Sequence, residues 1–196
     1  MRVIRTVGAF VLLSWGLAVA PQAPAQGNFY IGGSIGSSDI DSSIAVSNGL
    51  ITSGSVDGKD VGIKLFGGFQ LSPNLALELA YVDLGTVNYS GSFGAAPVFG
   101  GRLEITGLNV SAVGTFPVNP GFGIFGKVGV FAWETRANDV TNGIPFAQTR
   151  DGSDLSVGLG MEFSVTKNSS VRAEWEQFKI GSDNASLLSA GFVVRF

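Results

Sequence analysis

The stretch Asp154-Leu155-Ser156-Val157-Gly158-Leu159-Gly160-Met161-Glu162-Phe163-Ser164-Val165 alternates without a lapse. Leu155, Val157, Leu159, Met161, Phe163 and Val165 share one parity. Asp154, Ser156, Gly158, Gly160, Glu162 and Ser164 share the other. Successive side chains of a strand point to opposite faces, so this pattern predicts a strand with one apolar face and one small or polar face. A helix would group its apolar residues at i, i+3 and i+4 instead.

Working outward, seven more segments repeat the pattern. Toward the C-terminus, Val171, Ala173 and Trp175 oppose Arg172, Glu174 and Glu176, and Leu188, Ala190, Phe192, Val194 and Phe196 oppose Ser189, Gly191 and Arg195. Toward the N-terminus come Phe122 to Val130, Leu108 to Phe116, Leu75 to Tyr81, Val61 to Phe69 and Phe29 to Ile35. Short connections near Ser72, Asn119 and Asn168 alternate with long ones over roughly 38–58, 85–101 and 135–152, and a shorter one near 180–184. An antiparallel meander with turns at one end and loops at the other is the outline of an up-and-down β-barrel. Leu103 and Ile105 are out of phase with Leu108 and Val110, which predicts a bulge near Thr106-Gly107. Trp133 also falls on the wrong parity, for which a local bulge is again the expectation.

Period two does not say which face points inward. The polar face is mostly Gly, Ser and Ala, as suits the lumen of a narrow eight-stranded barrel but not a solvated surface. The apolar face carries no charge within any of the eight cores, as expected where lipid touches it. With the mature N-terminus placed at the periplasmic end, Phe29, Phe69, Phe116 and Phe163 fall at the short-turn end, with Phe196, while Tyr81 and Trp175 fall toward the long loops. These are predicted as aromatic girdles.

The N-terminus is different. Arg2 and Arg5 precede an apolar run from Val7 to Ala20, short of the ~20 residues of a transmembrane helix. Ala23-Pro24-Ala25 follows as a small-residue cleavage motif, so residues 1–25 are predicted to be a cleaved signal peptide and 26–196 the mature domain. The whole chain has 29 glycines in 196 residues, 14% charged residues, a net charge of −3 and neither Cys nor His. Catalysis and metal ligation through histidine or cysteine are thereby excluded. The acidic balance argues against nucleic acid.

The opening Phe29-Tyr30-Ile31-Gly32-Gly33, the strand Leu75-Ala76-Leu77-Glu78-Leu79-Ala80-Tyr81 and the alternating end that closes on Phe196 together resemble the OmpA/OmpX-type, opacity-like family of eight-stranded outer-membrane barrels of Gram-negative bacteria. The resemblance implies an all-β, eight-stranded antiparallel up-and-down transmembrane barrel in the cell outer membrane, acting as a monomer. It also implies that Phe192, Val194 and Phe196 form the signal read by the outer-membrane assembly machinery. Barrel enzymes of this architecture resemble one another in depending on a catalytic histidine, so no enzymatic role is expected here.

Sharper chemical readings are weak. Gly121-Phe122-Gly123-Ile124-Phe125-Gly126 matches a dinucleotide fingerprint literally, yet a turn precedes it and a strand follows it. Asp39, Asp41, Asp57, Asp139, Asp151 and Asp154 lack the spacing of a calcium loop. Glu174 and Glu176, a formally possible carboxylate pair, read more simply as ion-pair partners. No cofactor or metal is expected. On the small-residue face, Lys64, Lys127 and Arg172 stand against Glu78, Glu162 and Glu174. In a narrow lumen such charges must pair or stay hydrated. The reading favoured is a closed polar plug in a structural or loop-presenting surface protein, adhesin-like or serving envelope integrity. Its partners would be outer-membrane lipid, lipopolysaccharide and an extracellular ligand reached through the loops. The alternatives are a narrow porin-like channel and a soluble periplasmic ligand-binding barrel.

Overall fold

The computed structural model describes residues 28–40, 54–91, 99–141 and 144–196. Among them are nine strands and no helix: β1 (Phe29–Ile40), β2 (Gly54–Asp57), β3 (Lys59–Ser72), β4 (Leu75–Gly91), β5 (Phe99–Asn119), β6 (Phe122–Thr141), β7 (Ile144–Ser164), β8 (Ser169–Ile180) and β9 (Asp183–Arg195). Gly58 alone parts β2 from β3. Both pair with β4, Asp57 opposite Asn88 and Ile63 opposite Asp83, so the two make one span. Neighbours in sequence pair antiparallel, and β9 returns to β1 with Val194 opposite Ile31. The Phe196 amide donates to the Phe29 carbonyl at 2.9 Å. The result is a closed eight-stranded antiparallel barrel, with no free edge. The predicted leader, residues 1–25, lies outside the described residues, as does most of the 38–58 connection.

The short-turn end is built from local chemistry. Pro73-Asn74, Pro120-Gly121 and 165–168 join the strands there. Asn74 and Asn168 donate their side-chain amides to the Thr115 and Arg195 carbonyls at 2.8 and 3.2 Å. Asn119 accepts from the Gly121 amide at 3.0 Å, the Asx geometry that starts a turn. At the other end the β8–β9 turn uses Gly181 at φ 63°, where glycine alone escapes the steric penalty.

The apolar parity faces outward. Phe116, Leu159 and Leu188 are 66%, 65% and 63% exposed, and the other belt residues are comparably open. An uncovered apolar belt around a closed sheet is incompatible with a water-soluble barrel, and it disposes of the periplasmic alternative.

Inside, the barrel is stratified. Nearer the short turns lie Tyr30, Phe66, Phe125 and the ionised side chains. Nearer the loops lies a dry cluster that includes Val82, Leu84, Ile105, Phe131, Phe178 and Leu187, each with no exposed surface. Inward aromatic rings rest on glycines of the neighbouring strand. A Cβ on Gly68 would sit 2.0 Å from the Tyr30 ring, one on Gly32 2.4 Å from Phe66, one on Gly160 2.3 Å from Phe125, and one on Gly152 2.5 Å from Trp133. Each of these pairs is directly opposed in the register. The glycine excess therefore makes notches for rings, in addition to keeping the lumen narrow.

Three expectations change. The connections 85–101 and 135–152 are largely strand, because β4 to β7 run for 17 to 21 residues, well past the belt. Above the lipid the outer face turns polar, as at Arg102 and Arg136, while inward residues such as Leu84, Leu103 and Ile105 are apolar, so the alternation inverts and no longer continues the belt pattern. No bulge interrupts β5 at Thr106-Gly107, where its pairing with β6 is continuous. The irregularity lies on β4, where Asp83 pairs with Thr106 but Thr86 with Glu104, and Gly85 takes φ 80°. Leu103 and Ile105 share the inward parity of Asn109 and Ser111 and belong to the dry cluster. Trp133 likewise points inward with no register shift between β6 and β7.

Candidate functional site

The inward parity brings ionised groups from five strands into one layer. Lys64 comes from β3, Glu78 from β4, Lys127 from β6, Glu162 from β7, and Arg172, Glu174 and Glu176 from β8. Each is placed by strand periodicity alone, since a one-residue slip would turn it into lipid. Lys64 pairs with Glu174 and, at 2.5 Å, with Glu176. Lys127 lies 3.3, 2.8 and 2.7 Å from Glu78, Glu174 and Glu176. Arg172 bridges Glu78 at 2.8 Å and Glu162 at 3.0 Å. All six residues anticipated from sequence thus lie in one connected network.

Three further members complete it. Glu176 is as buried as Glu174 and joins both lysines. Arg195, on β9, pairs with Glu162 and donates to Ser170 at 2.5 Å. Tyr30 donates its hydroxyl to Glu78 at 2.9 Å. Four cations therefore face four carboxylates. Glu78, Glu174 and Glu176 answer Lys64, Lys127 and Arg172 in the buried centre, and Glu162 answers Arg195 toward the turns. Arg172 also lies over three rings, 4.7 Å from the Phe125 centroid, 4.8 Å from Phe66 and 5.5 Å from Tyr30. Such cation–π contacts recover part of the desolvation cost. The Ser156 hydroxyl donates to Asn109 at 2.7 Å, the last buried side-chain pair before the dry cluster.

This geometry does not favour catalysis. Glu174 and Glu176 are 2% and 1% exposed and each is held by ammonium groups, so neither meets a substrate. The glycine-rich stretch at Gly121–Gly126 is a turn running into β6, with no helix to receive a phosphate. Among the described residues no group of His, Cys, Asp or Glu is arranged to hold a metal ion. Two cavities indent the ends. One of about 250 Å³ reaches Arg172 and Arg195 from the turns, and one of about 120 Å³ reaches Leu103 and Ile180 from the loops. They share no lining residue, and the charged layer and the dry cluster lie between them.

At the loop-side mouth, just beyond the belt residue Leu155, the Asp154 carboxylate accepts from the Gly181 amide at 2.8 Å and from Trp133 Nε1 at 2.9 Å. The Gly181 bond, then the Trp133 bond, hold its pKa below the ordinary value.

Of the aromatic residues singled out, Phe29, Phe69, Phe116 and Phe163 project outward near the turns, with Leu71, Val118 and Val165 one step beyond three of them. The Phe29 and Phe69 rings meet at 4.8 Å. Tyr81 and Trp175 are the last outward apolar residues of β4 and β8 before Asp83 and Gln177. Phe192 and Phe196 project outward from the closing strand, and Val194 is half-buried on the same face.

Residues 9–196 match the family described as outer membrane protein beta-barrel domain. Outer membrane protein A of Yersinia pseudotuberculosis serotype I is 27% identical over 188 residues, covering 91% of this chain and 51% of that protein. Outer membrane protein A of Klebsiella pneumoniae is 26% identical over 157 residues, covering 79% of this chain and 44% of that protein. The chain thus spans about half the length of these relatives. Among solved structures, Ail, the attachment invasion locus protein of Yersinia pestis, superposes with a TM-score of 0.59 at 15% identity, over 88% of this chain and 100% of that one. Neisserial surface protein A gives 0.57 at 21% identity, with the same coverage. These structures share the fold. With a closed barrel, an outward apolar belt and a family match across nearly the whole sequence, the chain belongs to the outer membrane protein beta-barrel domain family.

Proposed function

We propose that this protein is a sealed outer-membrane barrel that serves as a structural, surface-presenting element, with its task carried by what rises above the lipid. The observation that carries this reading is the two-layer closure of the lumen. A permeating ion would first have to separate balanced, buried ion pairs, and then cross an apolar cluster in which the Ser38 hydroxyl, already donated to the Leu84 carbonyl at 2.6 Å, offers little to replace its hydration shell. Hydrophobic constrictions of this kind block ions by dewetting. With passage closed, the part built on a larger scale is the wall formed by β4 to β7, which continues past the belt while β8 and β9 end in a tight turn. Such a wall and its connecting loops offer an adhesin-like or envelope-stabilising surface. The structurally similar Ail is named for attachment and invasion, which agrees with that use of the fold. Lipid and lipopolysaccharide surround the belt in this reading, and the barrel acts as a monomer.

Liposome swelling tests the sealed state against the channel alternative. Vesicles carrying the refolded barrel should swell in small sugars no faster than empty vesicles. Swelling that scales with protein content would favour the channel. Export through the N-terminal leader and recognition of Phe192, Val194 and Phe196 by the assembly machinery belong to the same proposal. Deleting Phe196 removes the amide that bonds to Phe29 and should sharply lower the amount of protein in the outer membrane. Unchanged levels would show that this end is not used.

A further inference from the structure

The cavity of about 120 Å³ at the loop-side mouth is a blind cup whose floor is the upper surface of the dry cluster. Leu103, Ala137 and Ile180 form that floor, and all three are buried. Trp133 makes one wall, its ring fixed because Nε1 is tied to Asp154. The rim carries Arg150, which lies opposite Thr135 in the register and therefore on the inward face of the tall wall. Its guanidinium is exposed and has no hydrogen-bond, ion-pair or ring partner among the described residues. The rim's acidic residue, Asp183, is engaged and accepts from the Ser182 hydroxyl at 3.3 Å. An apolar floor, one aromatic wall and a single uncommitted guanidinium are the elements of a site for a small amphiphilic anion. Volume limits its size, since an engineered apolar cavity of ~150 Å³ accepts benzene.

We propose that this cup binds a small organic carboxylate, its apolar body of one ring or a short chain seated against Leu103, Trp133, Ala137 and Ile180 and its carboxylate on Arg150. The site is distinct from the lumen network and would serve recognition at the cell surface, since the floor is sealed.

Trp133 supplies the reporter. Protein extracted from outer membranes in detergent, carrying Trp175→Phe to silence the lipid-facing tryptophan, would be titrated with sodium benzoate and with benzamide as the uncharged isostere. A saturable change in tryptophan emission is expected with benzoate at a roughly millimolar Kd, as suits so few ligand atoms. Benzamide should bind at least about tenfold more weakly, and Arg150→Gln should weaken benzoate by a similar factor. Arg150 is exposed, so that variant should fold, giving the same far-ultraviolet β-sheet spectrum as the unsubstituted protein. Ala137→Phe, which fills the floor, should abolish the response. No saturable response to benzoate, an equal response to benzamide, or undiminished binding in Arg150→Gln would each overturn the proposal.

Discussion

Two layers of the same lumen solve the same packing problem by opposite means. Toward the turns the interior is filled by lysine, arginine and glutamate, buried at the centre and half-buried at Glu162 and Arg195, and each answered by an opposite charge. Toward the loops it is filled by Val82, Leu84, Ile105, Phe131, Phe178 and Leu187, which need no answer. The charged layer depends on completeness, because removing one partner strands another charge in a dry site. The apolar layer depends on volume, because removing atoms leaves a cavity but nothing unpaired. The two should therefore fail differently when perturbed.

The largest effect is expected from Arg172→Met. It leaves Glu78 and Glu162 without their shared guanidinium and should cost about 3–5 kcal/mol. The midpoint of urea unfolding in detergent, followed by tryptophan emission, would measure this. Leu187→Ala in the apolar layer should cost ~3 kcal/mol from lost transfer and a residual cavity, with no change in pH dependence. A larger loss for Leu187→Ala than for Arg172→Met would invert the comparison. At the junction of wall and ring, Gly160→Ala drives a methyl into Phe125 and the Ala173 carbonyl, and overpacking of this kind should cost about 1–3 kcal/mol by the same measurement. A neutral result would show that the ring can move aside.

The smallest effect is expected outside the belt. The folded-state pKa of Asp154 is depressed, so its contribution is fully present above the unfolded value of 3.8 and disappears as pH falls through the lower folded value. Wild type and Asp154→Asn should therefore differ in unfolding midpoint at neutral pH and converge in acid. Parallel curves across that range would remove the hydrogen bonds at Asp154 from the account of the mouth.

The strands and the charged layer were legible because their signals are contrasts. Alternation stands out where one face meets lipid, and Lys64, Glu78, Lys127, Glu162, Arg172 and Glu174 stand out against glycine and serine. Glu176, Tyr30 and Arg195 carried the same signal, since each shares the inward parity of its strand, but a tyrosine or a rim arginine reads as unremarkable when taken singly. The apolar layer was not legible. Leu103, Ile105 and Trp133 face inward, yet apolar residues inside a barrel look in sequence like those outside it. A fixed rule of apolar-outward therefore produced the spurious bulges. The upper parts of β4 to β6 escaped for the same reason, because above the belt the polar side chains move to the outer face and the apolar ones to the inner, which reverses the parity followed along the belt.

The central claim is that the two layers together seal the lumen. Planar-bilayer recording of the purified refolded protein tests it most directly. The account predicts little or no steady conductance in wild type. A reproducible open channel in wild type, abolished by Glu78→Gln or Arg172→Gln, would contradict it and make the ion-pair network the lining of a pore.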